Sequence, residues 1–405
     1  MDYNSNNIIF GREVFMKRFG ALLLGIILLM SSLFRINVSA EPKENPLEIT
    51  STAAVLIEGS TGEIIYDKNK DEQLRPASIT KIMTLLLIFE ALDSGKITLS
   101  DQVTVSEHAA SMGGSQVYLE PYETQDVDTM IKCISIASGN DASVAMAEHI
   151  AGSEEEFVAR MNARAKELGM LNTNFVNCYG LDADNHYSSA YDVALMSREL
   201  ITKYPEISQY STVWMDSFIH TTRKGQSEFG LTNTNKLIKQ YNGITGLKTG
   251  STGLAKYCLS ATAKREGMDL IAVIMAAPDT KTRFREASKL LDYGFANCSI
   301  FTDLNEDLEV VPIPIKKGVV DSLNYRVNDK FSYLCLNDVN PENISKEITI
   351  MESVSAPVKE NDKVGEITYS LNGKKIGTVD VVAAETIEVA KFKDYFSVVW
   401  KKYML

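Results

Sequence analysis

The sequence predicts an α/β protein of the α+β kind: a five-stranded antiparallel sheet flanked by helices, a helical subdomain inserted into it, and a small all-β domain after it. Three observations carry this expectation. The hydrophobic period is strand-like over 54–66, helical from about 77 to 205, and strand-like again beyond 240. The first domain therefore starts and ends in one sheet. From about residue 303 the chain shifts to short alternating runs separated by turn residues, the pattern of a second, β-rich domain.

The first 40 residues have the pattern of a secretory leader. Lys17-Arg18 precedes an apolar run from Phe19 to Phe34, and Val38-Ser39-Ala40 offers a small-residue cleavage site before Glu41. The run is slightly short for a spanning helix, and Met16 is an alternative start. Ala54-Val55-Leu56-Ile57 and Glu63-Ile64-Ile65-Tyr66 flank Gly59-Ser60-Thr61-Gly62 and read as a hairpin. Pro76 precedes a helix expected to run to about Leu92, where Ser94-Gly95 stops it. Helical segments follow from 124 to 167, broken at Ser138-Gly139-Asn140-Asp141 and restarted by the Ser153 and Glu156 capping box. Another helix follows Ser189 and closes before Pro205. Strands are expected at 243–249, 257–263 and 269–276, then a closing helix from Thr280 to about Phe295. In the second domain, Asn372-Gly373 between two alternating runs is the strongest hairpin signal. The domains read as 1–40 leader, 41–302 first domain, 303–387 β-rich domain and 388–405 tail. In the tail, Phe392, Tyr395, Phe396, Val399, Trp400 and Tyr403 share a helical face flanked by lysines, the pattern of an in-plane membrane helix. A terminal helix packed on its own domain is the plainer alternative.

Composition narrows the function. The 405 residues are 45% hydrophobic and 23% charged, ordinary for a globular chain, with a formal net charge of −12. Loss of the leader would remove Arg12, Lys17, Arg18 and Arg35 against only Asp2 and Glu13, so the mature chain is more acidic still. Such a chain is a poor nucleic-acid binder. Its cysteines are five, scattered and without a close pair, which suits buried small hydrophobes better than a disulfide framework or zinc site. The four histidines do not fall at ligand spacing, and neither a metal nor another cofactor is expected.

Chemistry enters with Ser78-Ile79-Thr80-Lys81 at the mouth of an apolar helix. A spacing of three residues puts hydroxyl and amine on one helical face. A lysine at such a buried end is desolvated, so its neutral form can take the serine proton: Ser78 is the candidate nucleophile and Lys81 its base. Alone, the pair also fits a capped helix. Two further motifs follow in order: Ser138-Gly139-Asn140 at the break in a buried helix, and Lys248-Thr249-Gly250 on a strand, continued by Ser251.

This set resembles that of the penicillin-recognising serine enzymes. Arg75-Pro76-Ala77-Ser78, Met112-Gly113-Gly114-Ser115, the 174–181 segment, the 289–295 segment, the β-rich domain and the tail extend the likeness. They point to the low-molecular-mass penicillin-binding proteins, serine-type D-alanyl-D-alanine carboxypeptidases. The resemblance implies a DD-peptidase and β-lactamase type of fold, peptidoglycan stem peptides as substrates and β-lactam antibiotics as covalent ligands of Ser78. It further implies an extracytoplasmic enzyme of cell-wall synthesis, held at the outer face of the cytoplasmic membrane by its tail. Under it, Ser138 relays a proton to the leaving amine and Asn140 holds the substrate amide. Lys248 and Thr249 bind the terminal carboxylate, and the backbone of Ser78 and Ser251 forms the oxyanion hole. Arg283 is a candidate second cation for the carboxylate, although such an arginine is ordinarily a solvated helix residue.

Two rivals stay open in the sequence. A β-lactamase of the same fold is disfavoured because Glu167 stands one residue too far from Leu171-Asn172 for the class A motif, and by the extra domain and tail. A non-catalytic cell-wall binding protein is the other.

Overall fold

The computed structural model describes residues 47–222, 225–306, 308, 311–336 and 339–396. Strand β1 (Ala53–Glu58) turns at 59–62 into β2 (Ile64–Lys68) as the expected hairpin. A 3₁₀ turn, Ala77–Thr80, leads into α1 (Lys81–Asp93), which buries Ile82, Met83, Leu85, Leu86, Ile88 and Phe89. The central helix is thus present, with one difference. Ser78 lies in the 3₁₀ turn and not in the α-helix itself, where Ala77, with its φ of 50°, has no α-helical conformation.

The insert starts with a small ribbon, β3 (Gln102–Thr104) against β4 (Thr124–Asp126). Helices α2 (Val127–Ser135), α3 (Asn140–Ala151) and α4 (Glu154–Glu167) follow. The side chain of Asp126 accepts from the Thr129 amide and that of Ser153 from the Glu156 amide, caps worth about 1 kcal/mol each. α5 (Ala190–Lys203) begins in the same way, with Ser189 accepting from the Asp192 amide. A hairpin that the sequence reading lacked comes next, β5 (Met215–Thr222) with β6 (Gly225–Thr232). Phe218, His220 and Leu231 are its buried side chains, so little apolar alternation marks it.

β7 (Ile244–Thr252), β8 (Lys256–Arg265) and β9 (Met268–Ala277) then join the first hairpin in one antiparallel sheet of order β2-β1-β9-β8-β7. α6 (Thr280–Asn297) closes the unit. Val55, Ile57, Ile271, Val273 and Met275 face the core shared with α1 and α5. On the opposite face Leu56 and Leu270 lie against Gly294 of α6. Because helices cover both faces, β1 is buried at every position and shows no polar alternation.

β10 (Cys298–Asp303) follows α6 directly, so the junction expected at 302/303 falls inside this strand. The strands β11 (Ile313–Lys316), β12 (Ser322–Leu323), β13 (Tyr325–Val327), β14 (Phe331–Leu336), β15 (Ile344–Ile350), β16 (Val354–Ser355), β17 (Lys363–Leu371) and β18 (Lys374–Ala383) complete a second core. They form sheets β10-β14, β12-β11-β16 and β13-β18-β17-β15. Asn372 and Gly373 both take positive φ, 50° and 79°, as a two-residue type I′ hairpin requires. Phe331 stacks on Tyr369 at 3.8 Å inside this core. Residues 392–396 are helical, with Phe392 and Tyr395 exposed, while the rest of the expected tail helix, 397–405, and the expected leader lie outside the described residues. Among the described residues no helix is long and apolar enough to cross a membrane.

Glu286 of α6 fastens the start of the sheet. Its two carboxylate oxygens accept from the backbone and hydroxyl of Thr50 (2.7 and 2.6 Å) and of Ser51 (3.1 and 2.5 Å). These bonds hold its carboxyl below the ordinary glutamate value of 4.5 against the opposing effect of burial. Glu286→Ala should lower stability by on the order of 3 kcal/mol, measured by urea unfolding at pH 7. A depressed carboxylate pKa stabilises above the unfolded value and loses its effect as pH falls, so the gap between wild type and variant should narrow as pH drops below the unfolded value of 4.5.

Candidate active site

Three segments of chain meet at the 3₁₀ turn. β7 is the edge strand, and its Gly250 lies so close that a Cβ there would come within 2.8 Å of the Ser78 amide nitrogen and 2.9 Å of that of Ile79. Glycine is needed at that point for the backbones to approach. From the other side the 174–187 loop packs beneath. Gly180, at φ +92°, would place a Cβ 1.9 Å from the Ala77 carbonyl oxygen. Ser78 remains half-buried between them, open enough to meet a substrate.

The Lys81 amine is fully buried and has three partners: Asn140 Oδ1 at 2.6 Å, the Tyr179 carbonyl at 2.7 Å and Ser78 Oγ at 3.2 Å. Burial, aided by the nearby Lys248 charge, lowers its pKa well below the ordinary 10.5. A neutral amine has two N–H donors and one lone pair. The two short contacts go to pure acceptors and use both donors. In that neutral state the lone pair is left for the Ser78 hydroxyl, whereas the ammonium donates to Ser78 Oγ.

Asn140 opens α3. Its Nδ2 donates to the Gly113 carbonyl at 2.7 Å and its backbone amide to Ser115 at 2.8 Å, so the 112–115 loop fixes the side chain that fixes Lys81. Ser138, two residues earlier, has a strained φ of 62°. Its Oγ is buried and has no hydrogen-bond partner among the described residues.

On β7, Lys248 is 2% exposed and its amine donates to the Thr249 carbonyl at 3.3 Å. Burial, then the Arg283 charge, lowers its pKa to about 7. Thr249 Oγ1 is hydrogen-bonded to Thr234 Oγ1. Ser251 is exposed at the end of the strand, opposite Tyr257. Arg283 is not the solvated helix residue that its type suggests. It is 6% exposed, and its Nη1 donates to the Gly250 carbonyl (3.0 Å) and the Cys258 carbonyl (3.3 Å), with Tyr257 and Phe284 rings against the guanidinium. It ties α6 to the strand that carries the third motif.

The 174–181 segment figures in the sequence only as part of the likeness, without a role; the structure shows this loop holding the first motif. Besides the Tyr179 carbonyl, the Cys178 carbonyl accepts from Thr84 Oγ1 (2.5 Å) and the Ala183 carbonyl from Arg75 Nη1 (2.8 Å). His186 is buried, and burial pushes its pKa to about 4, so the ring is neutral. Its Nδ1 accepts from the Val176 amide at 3.0 Å, which leaves the proton on Nε2 to donate to Thr80 Oγ1 at 2.9 Å. Most of these contacts use backbone carbonyls, and a carbonyl leaves no trace in residue type. Among the described residues no group of His, Cys, Asp and Glu is arranged to hold a metal ion.

Comparison with known proteins gives the chain its relatives. Residues 38–279 match the peptidase S11 family model, described as D-alanyl-D-alanine carboxypeptidase, and residues 304–389 match the C-terminal domain of penicillin-binding protein 5. The chain is 44% identical to D-alanyl-D-alanine carboxypeptidase DacF of Bacillus subtilis, over 93% of this chain and 96% of that protein. It superposes on penicillin-binding protein 5 of Haemophilus influenzae with a TM-score of 0.69 at 31% identity, covering 84% of this chain and 98% of that one. It is also similar to penicillin-binding protein D2 of Listeria monocytogenes in an ampicillin-bound form, with a TM-score of 0.52 at 31% identity over 62% of this chain and 99% of that one.

The buried Lys248 should cost stability. Between pH 7 and about 10.5 the unfolded chain holds its proton while the folded site releases it, so this penalty is full below pH 7 and fades as pH rises. Lys248→Met should therefore stabilise the protein at pH 7 by on the order of 4 kcal/mol, and the gain should vanish near pH 10.5 in urea titrations.

Proposed function

Because this chain belongs to the family of D-alanyl-D-alanine carboxypeptidases, we propose that it removes the terminal D-alanine from peptidoglycan stem pentapeptides through an acyl-enzyme on Ser78. The observation that carries this reading is the buried Lys81 amine, its pKa lowered by burial, held within hydrogen-bond distance of Asn140 Oδ1, the Tyr179 carbonyl and Ser78 Oγ, so that its neutral form can take the Ser78 proton.

Ser78 Oγ attacks the carbonyl between the two terminal D-alanines while its proton passes to Lys81. The oxyanion lies between the backbone amides of Ser78 and Ser251, each such donor being worth about 3–4 kcal/mol. Lys248 and the Thr249 hydroxyl face the terminal carboxylate, which supplies the anion that the buried ammonium lacks. As the C–N bond breaks, Ser138 passes a proton from Lys81 to the leaving amine. Its unpaired hydroxyl suits that task, since a buried O–H without a partner is costly until a substrate meets it. Asn140 holds Lys81 with its oxygen, and one N–H of its amide serves the substrate. Water, deprotonated by Lys81, then hydrolyses the ester and releases the shortened peptide. A β-lactam acylates Ser78 by the same attack, in keeping with the ampicillin-bound form of the similar Listeria protein. Arg283 braces the strand through the Gly250 and Cys258 carbonyls and adds a second positive charge beside Lys248.

The domain reading follows the same lines: a cleaved leader over 1–40, a catalytic domain over 41–302, a β-rich spacer over 303–387 and an anchoring tail over 388–405. The enzyme works outside the cytoplasmic membrane, with the tail lying in its outer face. The exposed Phe392, Tyr395 and Phe396 support the anchor.

Two experiments test these statements. Wild type should take a fluorescent penicillin covalently and release D-alanine from a pentapeptide, whereas Ser78→Ala should lose the label and at least about a thousandfold in kcat. An unlabelled wild type would sink the acyl-enzyme, and label without D-alanine release would sink the carboxypeptidase. In liposome co-sedimentation, the full chain should pellet with anionic vesicles and a chain truncated at 388 should not; equal binding would remove the anchor.

A further inference from the structure

The segment after β6 reads Asn233-Thr234-Asn235, and its three side chains are divided by burial. Asn233 and Asn235 are 5% and 1% exposed, whereas Thr234 is exposed. Asn233 Nδ2 donates to the carbonyls of Ser211 (3.2 Å) and Val213 (3.0 Å), and its Oδ1 accepts from the Asn235 amide at 2.9 Å. Asn235 Nδ2 donates to the Gly246 carbonyl at 3.2 Å, on the strand that carries the third motif, and its Oδ1 accepts from the Leu237 amide at 3.2 Å. Two buried amides therefore clamp the segment beside β7. The residue between them projects its hydroxyl onto Thr249 Oγ1.

This pairing has a directional consequence. Two hydroxyls in mutual contact hold two protons, and one of them lies between the oxygens. If Thr249 donates to Thr234, it has no proton for a ligand. If Thr234 donates, the Thr249 proton is free to point outward, and acceptance of one hydrogen bond strengthens the donation of the next. An anionic ligand beside Thr249 favours the second arrangement, because it needs donors. Lys248, buried beside Thr249, favours an anion at that point.

We propose that Thr234 is a positioning residue for recognition of the free C-terminal carboxylate: it donates to Thr249 Oγ1 and so directs the Thr249 hydroxyl proton at the substrate's anionic end. The inference rests on the carboxypeptidase reading above and adds to it a residue outside the three motifs. Its ligand is the carboxylate alone, so its effect belongs to substrates that have one.

The test compares a peptide ending in D-Ala-D-Ala with the same peptide as its C-terminal amide, on wild type, Thr234→Val and Thr234→Ser. Thr234→Val keeps the shape and removes the donor. It should lower kcat/KM for the free acid about tenfold, chiefly through KM, and change that for the amide less than twofold. Thr234→Ser should restore the free-acid value to within about threefold of wild type. An equal loss on both substrates would overturn the proposal in favour of a packing role, as would no loss on the free acid or a serine variant as impaired as the valine. Fluorescent penicillin labelling of wild type is the control that separates the two readings. Without label or D-alanine release from wild type the carboxypeptidase reading itself falls, whereas an active wild type with an unselective Thr234→Val overturns this inference alone.

Discussion

The removal of Lys81 from water is the constraint on which the site depends. An ammonium buried without a counter-ion costs several kcal/mol, and a protein escapes that cost by releasing the proton. Here burial pushes the Lys81 amine toward its neutral form. α1 is apolar almost all round, and the amine at its mouth meets an amide oxygen, a carbonyl oxygen and a hydroxyl, none of them anionic. A carboxylate in any of those places would hold the lysine charged and bar it from the base role proposed for it. The elements around the first motif can be understood as ways of keeping these three neutral partners in place: the 112–115 loop through Asn140, the 174–187 loop through Tyr179, and the turn itself through Ser78.

The same logic explains the charge on β7. Lys248 and Arg283 are both buried and near each other, and each lowers its ionisation partly by burial. Arg283 satisfies two donors on backbone carbonyls, which are neutral dipoles and cancel none of its charge. The strand is therefore positive and under-compensated, and an anionic ligand gains where a neutral one does not. That asymmetry favours a carboxylate end on the ligand without any need for a deep cavity. It also means that the site is kept at a cost in stability, which is a common feature of catalytic sites.

Much of this was legible in sequence, for reasons that differ by element. The five-stranded sheet and α1 announce themselves because runs such as Ala53–Glu58 and Ile82–Phe89 bury nearly every residue, and Asn372-Gly373 because its two positive φ values restrict the residue types. The first and third motifs were visible as side chains at fixed spacing, and β7 does bring Lys248 and Thr249 to the turn that carries Ser78. What escaped has the opposite character. The hairpin of β5 and β6 exposes most of its side chains and so has little hydrophobic alternation. The cradle beneath Thr80 and Lys81 works largely through the carbonyls of Cys178, Tyr179 and Ala183, which every residue type has. Arg283 was misjudged because charge predicts exposure, and only the tertiary contact of α6 with β7 and β8 shows where its guanidinium is spent.

Strain is concentrated in the same place. Ala77 and Ser138, neither of them glycine, take φ of 50° and 62° immediately beside Ser78 and at the helix break, at a cost on the order of 1–3 kcal/mol each. A conventional helical turn at Ala77 would relieve the first, yet it would also carry Ser78 into the α-helix and away from the contact of Gly250 with the Ser78 amide. A relaxed Ser138 would turn its hydroxyl toward ordinary partners. The strain is held by what surrounds it: Gly180 admits the Ala77 carbonyl from below, and the hydrogen bond from the Asn140 amide to Ser115 fixes the chain after Ser138. Ala77 directly precedes the half-buried Ser78, and Ser138 keeps a buried hydroxyl without a partner among the described residues. Rigid apolar packing elsewhere is what lets these two positions remain unrelaxed, so the buried helix and the exposed chemistry at its mouth are parts of one arrangement.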